Sequence, residues 1–146
     1  MISKEGGKEM RQKRRAVPVL ICLALLLALA GSSFAQIEIP RITIQELKGM
    51  LDEGTSVVIL DTQPKTVYEK GHIKGAISFP WKARIGAGDV AGLPLNKPIV
   101  TYCDCGPGES DSAGVAAQLV ELGFSNVKVL KDPAIRGWKQ AGYPME

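Results

Sequence analysis

Histidine is almost missing from this chain: the 146 residues contain one, His72. Zinc sites built on two or more imidazoles are thereby excluded. Cysteine is scarce, with three in all, too few for a disulfide scaffold. A bilayer-spanning run is missing too. The apolar stretch Val19–Ala30 is twelve residues long; as a helix it reaches about 18 Å, against a hydrocarbon core of roughly 30 Å. There is no basic surplus beyond the N-terminus. The formal charge is +3, but residues 1–15 hold six basic and two acidic side chains, so +4 sits there and the remainder carries −1. Nothing in that remainder suggests a nucleic acid partner. There is no internal repeat or low-complexity tract. The sequence calls for no metal and no cofactor. What is present, 45% hydrophobic and 23% charged residues, suits one globular domain with a short appendage.

The appendage is residues 1–35. A basic stretch ends at Arg15, the apolar run follows, and Ser33-Phe34-Ala35 offers small residues where a signal peptidase reads. Basic, apolar, small is the order of a secretory signal peptide. The short run and the small-residue site favour cleavage after Ala35 over an uncleaved membrane anchor. A single domain over 36–146 is then exported, periplasmic or extracellular, with no membrane partner. No cysteine directly follows the run, so a lipid anchor is unsupported. Cys22 leaves with the peptide, and Cys103 and Cys105 remain in an oxidising compartment.

The rest of the chain alternates strand and helix signals. Thr43-Ile44-Gln45-Glu46 matches a capping box, Ile44, Leu47 and Leu51 share a helical face, and Gly54 suits the C-terminal cap. Val57–Leu60 is a short β-branched run that reads as a buried parallel strand ending at Asp61. Ala76–Phe79 is a second candidate strand, closed by Pro80. Residues 81–98 read as loop with one helical turn at most. Pro98–Tyr102 and Val127–Leu130 read as further strands, Ser112–Leu122 as a helix, and Pro133–Gln140 as a last short helix. The expected fold is α/β, a central parallel sheet flanked by helices. Val57–Leu60, Ile99–Tyr102 and Val127–Leu130 should be neighbours, with Ile59, Val100, Leu119 and Val129 buried.

The segment from Tyr102 to Ser112, YCDCGPGESDS, joins a strand end to a helix start. Open α/β sheets place their sites at that edge. A glycine-rich loop there can turn backbone N–H groups inward, and the helix adds its positive end. A thiol so placed is favoured as the nucleophilic thiolate, and the same N–H groups can bind the charge of a persulfide. The bland alternative is a buried, inert cysteine. Two cysteines beside glycines weaken it.

Asp61-Thr62-Gln63, Tyr68, Gly71-His72-Ile73, Gly75-Ala76 and Pro80 resemble the first signature of rhodanese-like domains. Tyr102-Cys103, Gly123-Phe124 with Asn126-Val127, and Trp138, Gly142 and Pro144 resemble its second half. The resemblance covers about residues 40–146. It implies a parallel sheet flanked by helices and sulfurtransferase chemistry. A small donor gives its outer sulfur to the loop cysteine, and a thiol, including a protein thiol, or another thiophilic acceptor removes it. It implies that Cys103 is the catalytic cysteine.

Cys105 is the second candidate catalytic thiol, as an assistant or resolving group. Asp104, Gly106, Gly108, Ser110 and Ser112 are candidate substrate-binding residues. The loop departs from the family pattern in its length and its second cysteine, and Gln63 stands where an Arg is usual. Asp104, Glu109 and Asp111 place three carboxylates beside the thiol. They oppose thiolate formation and repel anionic donors such as thiosulfate. Asp104 and Glu109 should therefore point outward. Ser110 or Asp111 suits the helix N-cap. A phosphatase loop of the Cys-x5-Arg type is excluded, because Glu109 or Asp111 occupies the arginine's place. His72 and Asp61 read as structural, and Trp81 and Trp138 as packing residues. Two other functions stay open: a dithiol–disulfide redox protein using Cys103 and Cys105, and a non-catalytic binding module.

Overall fold

Ile99–Tyr102 is buried along its whole length, as its apolar, β-branched character predicts. In the computed structural model, which describes residues 38–146, it is the central strand of a five-stranded sheet. The strands are β1 (Arg41–Ile42), β2 (Val58–Asp61), β3 (Ile77–Ser78), β4 (Ile99–Tyr102) and β5 (Val127–Leu130). The helices are α1 (Ile44–Asp52), α2 (Lys65–Tyr68), α3 (Ser110–Glu121) and α4 (Ala134–Gln140). Spatial order is β1-β5-β4-β2-β3, and every pairing is parallel. The expected α/β fold is present, with the three anticipated strands side by side. The signal-peptide reading and Cys22 lie outside the described residues.

Side chains along a strand alternate between faces, and this sorts the core into two halves. Ile59, Val100, Tyr102 and Leu130 meet Leu47 of α1 and Ala134, Ile135 and Trp138 of α4. Leu60, Ile99, Val127 and Val129 meet Val115, Ala116 and Leu119 of α3. Ile59, Val100, Leu119 and Val129 are all buried. Truncating one such side chain to alanine costs about 2–5 kcal/mol. The alternation continues past β4. Thr101 faces α3, donating its hydroxyl to the Ser112 carbonyl at 2.9 Å, and the next residue on that face is Cys103.

The capping box of α1 forms as read: Thr43 Oγ1 accepts from the Glu46 N–H at 3.2 Å, and Glu46 Oε2 accepts from the Thr43 N–H at 2.7 Å. Trp138 is buried, its indole N–H donating to the Pro144 carbonyl at 2.9 Å. Trp81 packs on the surface and not in the core. It is 49% exposed and lies over Gly114 of α3, where an added Cβ would stand 3.1 Å from its Nε1. The reason is its place on the surface segment after Pro80. Residues 81–98 contain turns and no helical turn. Two elements had no clear sequence signal: β1, two residues at the sheet edge, and α2, a single turn after Pro64. Among the described residues no helix is long and apolar enough to cross a membrane.

His72 ties the end of the chain to this frame. Its Nδ1 lies 3.0 Å from the Tyr68 carbonyl, and its ring stacks on Tyr68. Its backbone exchanges two hydrogen bonds with Glu146, at 2.8 and 3.0 Å. These contacts are the structural role expected of it.

Candidate functional site

Parallel strands carry their sites at their carboxyl ends, and here that edge is held by a buried carboxylate. Asp61, at the end of β2, accepts from the Tyr102 hydroxyl at 2.6 Å, from the Gln63 N–H at 2.9 Å, and from the Gln63 side-chain amide at 3.1 Å. Gln63, where an arginine is usual, is thus a neutral partner for Asp61. Tyr102 in turn accepts from the Ile73 N–H at 3.1 Å. Burial, and then the hydrogen bond to Asp61, push the Tyr102 phenol far above its ordinary pKa, so it stays a donor. Thr62 donates its N–H and its hydroxyl to the Tyr102 carbonyl, both at 2.9 Å. The backbone immediately before Cys103 is therefore held from both sides.

Cys103 is 3% exposed, and its Sγ lies 3.4 Å from Ser112 Oγ in the first turn of α3. The Ser112 hydroxyl donates to the Glu109 carbonyl at 3.1 Å. One proton and two lone pairs allow this hydroxyl to accept from a Cys103 thiol or, rotated, to donate to a thiolate. The first N–H groups of a helix have no acceptor within it, and the Ser112 contact sets this sulfur beside the first turn of α3. Cys105, half-buried, is joined to Cys103 through the two sulfurs, with Cα atoms 5.5 Å apart. That separation is ordinary for a disulfide.

Three residues with positive φ shape the loop. Gly106 (φ 78°) and Gly108 (φ 94°) take such values freely. No neighbour crowds either α-carbon, so conformation and not close approach asks for glycine. Glu109 takes φ 46° and ψ 46° without that freedom, a conformation that costs of order 1 kcal/mol and needs support from its surroundings.

The support is its side chain. Glu109 was expected to point into solvent; it is buried. Its Oε2 accepts from Arg41 Nε at 2.9 Å, and its Oε1 from the Asp132 N–H at 2.9 Å. Burial works to raise the Glu109 pKa, but the Asp132 N–H, the Arg41 guanidinium and the charge of Lys131 outweigh it and hold it below the usual Glu value. Glu109 also occupies the N-cap position of α3, without a side-chain cap, in place of Ser110 or Asp111. A carboxylate turned toward β1 and the β5–α4 connection cannot also reach the helix amides.

The other candidates are spread around the loop. Asp104 is exposed, as expected, and paired with Arg136 Nε of α4 at 2.7 Å; Arg136 also holds Asp132 at 2.8 Å. Ser110 is exposed, its hydroxyl donating to its neighbour Asp111 at 3.3 Å. Of the polar candidates, Ser112 alone is brought to Cys103. Sequence reading missed Arg41, Asp132 and Arg136 as the loop's anchors. Arg41 and Glu109 are far apart in the chain, so no local pattern links them; the i,i+4 spacing of Asp132 and Arg136 was the one available signal. Among the described residues no group of three metal-ligating side chains is placed to hold an ion.

The site can be set beside known proteins. The family model for the rhodanese-like domain matches residues 43–141. The adenylyltransferase and sulfurtransferase of Meyerozyma guilliermondii is 30% identical over 106 residues, 68% of this chain. This chain spans about a quarter of the length of the curated relatives it matches, 24% of that one. The rhodanese-like domain of an Anabaena protein superposes with a TM-score of 0.59 at 29% identity, covering 75% of this chain and 80% of the other. The thiosulfate sulfurtransferase of Pseudomonas aeruginosa superposes with a TM-score of 0.62 at 27% identity, covering 73% of this chain and 20% of the other. With its parallel sheet and a strand-end cysteine at the start of a helix, the chain belongs to the rhodanese-like domain family.

Proposed function

We propose that this protein is an exported sulfurtransferase that carries a persulfide on Cys103 and passes the sulfur to a thiophilic acceptor. The observation that carries this reading is the placement of Cys103: at the end of β4, beside Ser112 Oγ in the first turn of α3. A sulfur added there meets the positive helix end and a hydroxyl able to donate to it. The sulfurtransferases named among its relatives support the same chemistry. The three loop acids oppose it less than their number suggests. Glu109 is paired with Arg41 and Asp104 with Arg136, which offsets their repulsion of a thiolate and of an anionic donor. Donors of the thiosulfate or persulfide class are both compatible with this loop. Export rests on the order of basic, apolar and small residues in 1–35.

The reduced protein is treated with thiosulfate, polysulfide or a low-molecular-weight persulfide and analysed by mass spectrometry. A gain of one sulfur on the Cys103 peptide supports the reading. No gain with any donor, in the wild type and in Cys105→Ser alike, removes it. N-terminal sequencing of the exported protein should begin at Gln36. A membrane-bound form that retains Arg15 replaces cleavage with an anchor. The linkage of Cys103 to Cys105 favours a second reading, a dithiol–disulfide redox protein, in which the loop peptide loses two hydrogens on oxidation and takes up no sulfur.

A further inference from the structure

We infer that Cys105 is itself the acceptor-side nucleophile, so that the loop reduces its own persulfide and releases sulfide. This rests on the reading of Cys103 as the sulfur carrier. The arrangement of the two thiols carries it. Their sulfurs are in bonding contact within one short loop, on a backbone whose Cα separation is 5.5 Å. In the linked loop Cys103 is 3% exposed with Cys105 against it, so Cys105 is the thiol that the fold itself brings to Sγ. Cys105 reaches the same atom from inside the loop.

The step balances without a further reactant. The Cys105 thiolate attacks Sγ of the Cys103 persulfide. The bond from Sγ to the outer sulfur breaks, and its electron pair leaves with that sulfur as hydrosulfide. A Cys103–Cys105 bond forms. The outer sulfur gains two electrons, the two cysteine sulfurs lose one each, and the thiol protons end on sulfide or solvent. Attack at the inner sulfur is the route that ends in the Cys103–Cys105 bond the structure holds. A second turnover requires an external thiol or dithiol to reduce the disulfide. Cys105, the more exposed of the two residues, is where such a reductant enters. The products are sulfide and an oxidised loop, so the loop couples sulfane-sulfur reduction to thiol oxidation.

The test is a single turnover without oxygen. Full-length protein is reduced, freed of reductant under nitrogen, mixed with one equivalent of glutathione persulfide, and quenched by alkylation. The wild-type loop peptide should lose two hydrogens while about one equivalent of sulfide appears. Cys105→Ser should instead hold one added sulfur on Cys103 and release at least about tenfold less sulfide. A dithiol that reduces glutathione persulfide without carrying its sulfur gives the same wild-type result, and leaves glutathione instead of one added sulfur on Cys103 in Cys105→Ser, which overturns the inference. If wild type and Cys105→Ser retain the added sulfur equally long and release equal sulfide, the inference is overturned and the sulfur-carrier reading survives. If neither takes up sulfur, the carrier reading itself falls, and this inference with it.

Discussion

Two buried carboxylates stand at the same edge of the sheet and are satisfied in opposite ways. Asp61 is met by neutral donors: the Tyr102 hydroxyl and the amide groups of Gln63, two residues away. Glu109 is met by a full charge from the far edge strand, Arg41, and by the Asp132 N–H. The Asp61 group is sealed in the core and fastens β2 to β4 behind Cys103. The Glu109 group joins a loop to two other segments through a guanidinium that water still reaches, since the Arg41 side chain is 39% exposed. The first arrangement is frame. The second is a tether that holds a left-handed residue in the cysteine loop, and it can be cut without dismantling the sheet.

The sharpest way to break the contrast is Asp61→Ala. It strands the buried Tyr102 hydroxyl and the Gln63 amide, and should cost about 3 kcal/mol of unfolding free energy, read by urea denaturation. A loss below about 1 kcal/mol would mean these groups find other partners. Arg41→Ala leaves the Glu109 carboxylate buried and unpaired. Because the guanidinium is half-exposed, the stability loss should be smaller, about 1 kcal/mol, while sulfur loading of Cys103 slows. Equal losses at Asp61 and Arg41 would erase the distinction between frame and tether.

Acid should act on the tether next. The folded Glu109 pKa is held below its unfolded value, so its stabilising contribution is present above the ordinary Glu value of about 4.3 and is lost as pH falls through the lower folded value. Glu109→Gln should therefore flatten the acid limb of a stability-against-pH curve and leave the curve unchanged in shape above pH ~6. An unaltered acid limb would show that other carboxylates control it. The smallest effect is expected at the outer pair. Arg136→Ala removes the ion pairs to Asp104 and Asp132, whose side chains all remain open to solvent, and should change stability by about 0.5 kcal/mol or less. A larger loss would make Arg136 part of the tether.

Much of the frame could be read in advance. The apolar runs at Val57–Leu60, Ile99–Tyr102 and Val127–Leu130 announced buried parallel strands because a strand covered on both faces has no polar alternation. Thr43 and Glu46 announced a helix start because the capping box is local. Strand β1 escaped notice because two residues, Arg41 and Ile42, carry no period, and their pairing with β5 exists only once the sheet is assembled. That Trp81 packs on the surface beside Gly114, and not in the core with Trp138, follows from tertiary placement alone.

The candidate site divides along the same line. The available chemistry is legible along the chain: two thiols with one residue between them, at a strand end, before a helix, with glycines that let the chain turn. Those are properties of neighbours in the chain, and covalent spacing suffices to read them. Which groups surround the thiols depends on the assembled fold. Ser112 reaches Cys103 because the helix folds back on the strand, and Glu109 turns inward because Arg41 waits there, 68 residues earlier in the chain. A carboxylate on a polar loop reads as solvated until a distant cation gives it a reason to be buried, and no local pattern of residues encodes that distance.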